Sequence, residues 1–374
     1  MGIFLLVVGL ILFVALVVVH EFGHFWIARR NGVEAEEFGI GFPPRAWSKK
    51  LKSGLVLSLN WLPIGGFVKL KGEHDADTEP GTFGAASFWS KTKIMLAGIG
   101  MNLLAAFVLF MILAWVGMPQ LVNDQFKVKS DTKIAHNEVL VGYVESNSPA
   151  GHIGLKTRDQ ITAIGPAGHE TKITDATQMA TVTQAYANQK VTVDYLRNGQ
   201  PQTATTTLRS KATVEEGKKT NHPKGYLGVA PTEYTLTRAT WSAPVQALGT
   251  MWQFTALTFK GLWVAVSSLL QGNTAQASAQ VSGPVGIFVI LKDGSLLGYQ
   301  FMLLIIAVIS LTLAVMNVLP IPALDGGHLF VMLIARLLRK PLTQRVEEWV
   351  YGVSYVFLLG LVALITVVDV RRYF

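Results

Sequence analysis

The chain has 374 residues, half of them hydrophobic and only 15% charged, with a formal net charge of +8 and no cysteine. This composition points to a polytopic α-helical membrane protein with soluble mass attached. It excludes disulfides and thiolate metal sites, so a bound metal must use His and carboxylate ligands. No nucleic-acid motif or aromatic–basic array accompanies the positive charge, which belongs instead beside cytoplasmic membrane ends.

The first predicted span covers about residues 3–28. It lacks a basic leader and a small-residue cleavage site, so it reads as an anchor and not as a removable signal peptide. Near its end stands His20-Glu21-Phe22-Gly23-His24, with no charged residue before Glu21. On a helix this spacing puts both imidazoles on one face, where they can share a metal with Glu21 beside it as general base. Ionisable groups in a membrane segment are costly and read by default as functional. The plainer alternative is a helix end where they meet lipid headgroups.

Arg29, Arg30, Arg45, Lys49, Lys50, Lys52, Lys91 and Lys93 crowd the loop after this span. Within it, residues 55–61 and 66–70 alternate imperfectly around a Pro/Gly-rich turn and read as β-strands. The second predicted span is 94–118. Residues 121–236 follow as strands and turns around 140–144, 148–155 and 158–164, a helix at Ala176–Ala185 and a strand at 191–195. Gly225-Tyr226-Leu227-Gly228-Val229 is expected to begin the return to the membrane.

Residues 248–270 tempt a fifth span, but their pattern is amphipathic. Trp252, Ala256, Phe259, Trp263, Val266 and Leu270 form one stripe, and Gln253, Lys260, Ser267 and Gln271 another, as in a helix lying in the interface. A fifth span would also carry Asp325 to the opposite face from the HEFGH motif. The third span lies within 294–324 and the fourth at 349–368, with Arg336, Arg339, Lys340 and Arg345 between them. The basic residues make both loops cytoplasmic and place the N-terminus and residues 121–236 outside. Arg371 and Arg372 count against this orientation.

Two histidines leave a catalytic zinc one protein ligand short. The candidate is Asp325, in Asn317-Val318-Leu319-Pro320-Ile321-Pro322-Ala323-Leu324-Asp325-Gly326-Gly327. The prolines break the helix, and the glycine pair lets backbone turn closely around a metal. Read alone, Asp325 suits a turn at a span's cytoplasmic end better than a metal, with Gly supplying positive φ; HEFGH arriving at the same membrane face reverses that preference. His328 fits the helix start better than the metal.

These motifs closely resemble the site-2 protease family of intramembrane zinc metalloproteases, in its bacterial regulator of sigma-E protease branch. The resemblance covers nearly the whole chain. It extends to Phe38-Gly39-Ile40-Gly41-Phe42, to Leu62-Pro63-Ile64-Gly65-Gly66-Phe67-Val68-Lys69 and to Ser282-Gly283-Pro284-Val285-Gly286. It implies that His20, His24 and Asp325 bind Zn2+, that Glu21 is the catalytic base and that Asn317 lies near the reacting centre. The Asn317 amide either hydrogen-bonds the oxyanion or serves packing between helices. One departure is Ala97-Gly98-Ile99-Gly100-Met101-Asn102, where many relatives carry Pro after the first Gly; Asn102 is retained.

The order of elements in residues 121–236 resembles a circularly permuted PDZ domain, with Ile-Gly-Leu and Arg-Asp where relatives more often show Ala-Gly-Leu and Gly-Asp. Such a domain either binds a chain end by strand addition or screens substrates by size. The expected organisation is therefore four membrane helices with a membrane-associated β-region and an inserted PDZ domain. Residues 1–118 hold spans one and two, 119–236 the extracytoplasmic PDZ domain, 237–293 the interfacial helix and 294–374 spans three and four. The family resemblance implies a bacterial inner-membrane protease acting on single-pass proteins, such as anti-sigma factors or remnant signal peptides. The β-region either holds the unwound substrate as an added strand or is a structural hairpin. The rival readings are a catalytically silent PDZ adaptor, which the presence of Glu21 and all three ligands disfavours, and a transporter, which lacks the expected inverted repeats.

Overall fold

The computed structural model describes residues 2–73, 77–122, 124–218, 224–339 and 343–374. Lys340, counted above among the basic residues, lies outside them. The chain opens with α1 (Gly2–Arg30), whose 29 residues reach about 43 Å at 1.5 Å each. Arg29 and Arg30 close its last turn, where cations suit the negative end of the helix dipole.

Strands β1 (Ala35–Lys50) and β2 (Val56–Leu70) follow. The sequence pattern marks both halves of β2 but hides β1, because Pro43 and Pro44 interrupt it. Both strands bend, so two strands yield four paired arms. Residues 35–40 lie between 66–70 on one side and 56–59 on the other, and residues 45–50 pair with 56–60. The arm 66–70 is thus an edge. On its outer side the Leu70 N–H donates to Glu73 Oε1 at 2.8 Å. Helix α2 (Phe88–Val116) starts ahead of its apolar run, capped by Ser87, whose hydroxyl accepts the Ser90 N–H.

The chain forms two units, one of Met1–Met118, Asp124–Asp131 and Ala239–Phe374, the other of Pro119–Asn123 and Thr132–Arg238. The second unit is built on a seven-stranded sheet. Its strands are β3 (Met118–Pro119), β4 (Lys133–Val144), β5 (Gln160–Gly165), β6 (Thr171–Lys172), β7 (Lys190–Arg197), β8 (Gln200–Thr207) and β9 (Val229–Arg238), interleaved with helices α3 (Pro149–His152), α4 (Ala176–Ala185) and α5 (Lys211–Lys218). The order is β3-β9-β4-β5-β7-β8, with β6 on β5. Val139, Val141, Ile161, Ile164, Val191 and Val193 form the centre of its core. Residue Val229 does not begin a return to the membrane but opens β9, which pairs with β4 from Val144↔Val229 to Lys133↔Arg238. Thr-rich β8 and β9 carry little apolar signal, and their pairing decides their conformation. Arg158 has φ 75°, a left-handed conformation that a residue with a side chain adopts at a cost and glycine does not.

The rest of the first unit comprises α6 (Ala243–Leu270), α7 (Thr274–Ala279), α8 (Pro284–Gly294), α9 (Tyr299–Val318), α10 (Asp325–Leu337) and α11 (Gln344–Tyr373). Among the described residues, α1, α2, α9 and α11 are the helices long and apolar enough to cross a membrane. Helix α2 is the central one. Its Ala106, Phe110 and Leu113 pack with Ala247 of α6 and Ala307 and Leu311 of α9, while its Ile94 packs with Ala28 and with Met332 of α10. Helix α6 turns its small residues inward and leaves Trp252, Trp263 and Leu270 77%, 72% and 84% exposed. Residues 124–131 attach to it: the Phe126 N–H donates to Gln253 Oε1 at 2.8 Å. The hydroxyls of Ser242 and Thr240 and their backbone N–H groups converge on Asp131 and hold its carboxyl well below the usual range. Buried Asp369, near the end of α11, accepts the N–H groups of Gly283 and Gly286 at 2.8 Å each and so caps α8 from another helix.

In the second unit, buried Asp159 receives Arg197 Nε at 2.9 Å, Arg197 Nη2 at 2.7 Å and the Lys156 N–H at 2.8 Å. Removing the carboxylate takes away two acceptor contacts of Arg197, which keeps the Gly154 carbonyl, and leaves the Lys156 N–H without its acceptor. Asp159→Ala is expected to cost about 2–3 kcal/mol, read as a lowered urea midpoint for this unit by pulse proteolysis of the whole chain.

Candidate metal centre

Helix α1 presents His20 and His24 one turn apart on a buried face. Asp325 arrives from the far end of the sequence, as the first residue of α10. It gets there because α9 stops at Val318, ahead of Pro320 and Pro322, and the chain turns sharply before α10 begins. Neither Gly326 nor Gly327 takes a positive φ. Their role is close approach: a Cβ on Gly326 would collide with the Val318 carbonyl, and one on Gly327 with the Ile321 carbonyl. The Ala323 N–H, just upstream, donates to Ser354 Oγ of α11 at 3.1 Å.

Three donor atoms converge. His20 Nε2 lies 3.2 Å from Asp325 Oδ2, His24 Nε2 lies 3.3 Å from the same oxygen, and the two Nε2 atoms are 3.2 Å apart. Bonds of about 2.0–2.1 Å to a tetrahedral zinc set neighbouring donors about 3.3 Å apart, so the triangle matches one face of such a site. Apart from these two imidazoles, buried Asp325 Oδ2 has no partner among the described residues, so it is open to a cation. Two imidazoles and a carboxylate, with no thiolate, suit zinc and other borderline divalent ions.

A cavity of about 210 Å3 opens on this triangle, lined by Glu21, His24, Asp325, His328, Glu73 and Val68 among others. It has room for several waters at about 30 Å3 each, with polar groups to hold them. Glu21 sits against the β2 edge: a Cβ on Gly66 would lie 3.5 Å from its Cγ. His328 is outside the donor triangle. Its ring stacks at 4.6 Å on Tyr351 and meets Phe83 edge-on at 5.9 Å. Asn317 is half-buried in the last turn of α9. It does not line the cavity, and among the described residues its amide makes no hydrogen bond. Glu73 escaped the sequence reading because one acidic residue in a charged loop carries no signal of its own.

The donor triangle predicts a stoichiometric metal site. Wild type is expected to bind one zinc per chain in competition with a chromophoric chelator. Asp325→Ala should weaken that binding by more than the roughly 10–100-fold typical of losing an outer-shell partner.

Comparison with known proteins agrees with this chemistry. The model of peptidase family M50 matches residues 8–361. A Clostridium perfringens protein named "Putative zinc metalloprotease" is 29% identical over 369 residues, covering 98% of both chains. A namesake from Clostridium acetobutylicum is 31% identical over 372 residues, covering 99% of this chain and 98% of its own. The Enterococcus faecalis protein named "Probable protease eep" is 24% identical over 449 residues, covering 98% of each. A donor set of this kind, inside a family match spanning nearly the whole sequence, has one conclusion: the chain belongs to peptidase family M50, the site-2 proteases.

Proposed function

We propose that this peptidase is a zinc endopeptidase that hydrolyses peptide bonds within the transmembrane segments of single-pass proteins. His20, His24 and Asp325 hold the zinc, and Glu21 is the general base. The observation that carries the reading is the convergence of the HEFGH imidazoles on Asp325, with His24, Asp325 and Glu21 lining one cavity beside a β-edge.

When bound, zinc acidifies a water and polarises the scissile carbonyl. The Glu21 carboxylate accepts the proton from the attacking water and delivers it to the departing amide nitrogen. The Asn317 amide does not line the cavity, so a role as oxyanion donor requires it to turn toward the reacting centre. A helical substrate shields its own amides, so it must be unwound before attack. Alternate residues of a strand point their N–H and C=O groups to the same side. Gly66 and Val68 therefore share the outer edge marked by Leu70, and an extended substrate can add there beside Glu21.

The second unit is read as the PDZ domain, which screens substrates by size, and residues 237–293 as an interfacial region whose outward tryptophans suit a headgroup boundary. The chain would lie in a bacterial inner membrane, N-terminus and PDZ domain outside, with the active centre toward the cytoplasm. Anti-sigma factors or remnant signal peptides are the substrate types that fit.

A purified enzyme should cut a tagged single-pass reporter whose ectodomain has been trimmed. Glu21→Gln is expected to slow this roughly 10²–10⁴-fold while zinc remains bound; equal cutting by the variant would remove Glu21 from the mechanism. Deleting residues 132–238 should release cleavage of an untrimmed reporter, and continued protection would rule out size screening.

A further inference from the structure

The Gly98–Asn102 stretch has no place in the chemistry above, yet it packs directly behind the ligands. Ile94, Gly98 and Asn102 are spaced by four and form one stripe on α2. All three meet the histidines. His24 Nδ1 lies 2.8 Å from the Ile94 carbonyl. That oxygen only accepts, so Nδ1 carries the proton and Nε2 keeps its lone pair. A Cβ on Gly98 would collide with His24 Nε2 and with the His20 ring, so this position must lack a side chain for the two imidazoles to approach each other.

Asn102, 1% exposed, completes the stripe. Its amide nitrogen stands 3.3 Å from His20 Nδ1, while its Oδ1 is buried without a hydrogen-bond partner among the described residues. Half a turn of the amide places Oδ1 against Nδ1. That orientation demands a proton on Nδ1 and leaves His20 Nε2 with a lone pair facing Asp325. The other orientation demands the proton on Nε2, where it would block a metal. The Asn102 backbone carbonyl is itself held, accepting from Ser310 Oγ of α9 at 2.8 Å.

We propose that α2 is a tautomer template: the Ile94 carbonyl and the Asn102 side-chain oxygen fix both histidines with the proton on Nδ1, across the space that Gly98 leaves open. Asn102 is then a positioning residue for His20, acting through the ligand and touching no substrate. The proposal rests on the metal centre described above.

The test is zinc affinity of the detergent-solubilised full chain, by chelator competition, with cobalt(II) absorption as a second readout of ligand geometry. Asn102→Leu removes the acceptor and is expected to weaken zinc binding about 10–100-fold. Asn102→Asp can only accept and is expected to keep wild-type affinity and the wild-type cobalt spectrum. Unchanged zinc affinity in folded Asn102→Leu overturns the proposal. So does a 10–100-fold loss in Asn102→Asp, which would mean that His20 needs a donor there. Should Asn102→Leu fail to fold, the Asp variant alone decides. His20→Ala and His24→Ala are run alongside: if these bind zinc as wild type does, the metal centre itself is wrong, a failure separable from that of Asn102.

Discussion

A carboxylate lodged between two imidazoles, among helices that are otherwise apolar, is the constraint on which the first unit is built. An unpaired buried carboxylate is costly, and neutral imidazoles offer it lone pairs and not charge when their Nε2 atoms face it. A cation held among the three donors would resolve the arrangement, and their spacing suits one of the size of zinc. The close contacts around it follow from that need. Helix α1 supplies two donors at one-turn spacing, α9 breaks so that α10 can begin at the third, and α2 stands behind them with a glycine where any side chain would intrude.

The same centre faces a second physical problem, which is that peptide hydrolysis needs water and an accessible amide. The cavity beside the triangle answers the first requirement with a wall that includes Glu21, Glu73 and His328. The bent sheet answers the second by bringing to the side of Glu21 a strand edge that pairs with no further strand among the described residues.

Much of this was legible in the sequence where the signal is local. The HEFGH spacing is a helix-face signal, and charge-free runs of about 20 residues mark four spans that the structure builds as helices. The proline pair before Asp325 predicted the break ahead of α10, although the glycines after it act through close packing and not through positive φ. What stayed hidden depends on partners far along the chain. Strand β1 is masked by its prolines, and β9 by its threonines, until β4 pairs with it. Residues 124–131 look like part of the soluble segment and belong with α6 through Phe126 and Asp131. The Ile94 contribution is invisible in principle, because a backbone carbonyl leaves no mark on residue type. Asp369 reads as a polar end to a span, and its two glycine N–H partners lie far upstream.

The wide separation of the donors along the chain has a temporal meaning. His20 emerges early in synthesis and Asp325 almost at the end. A nascent chain holding only α1 and α2 offers two donors of three, and its affinity for metal is correspondingly incomplete, since binding and assembly of such a site are one equilibrium. On the mechanism proposed above, activity waits until the last helices have inserted and α10 has docked. On that mechanism an unfinished chain, surrounded by unfinished membrane segments, holds no complete catalytic centre.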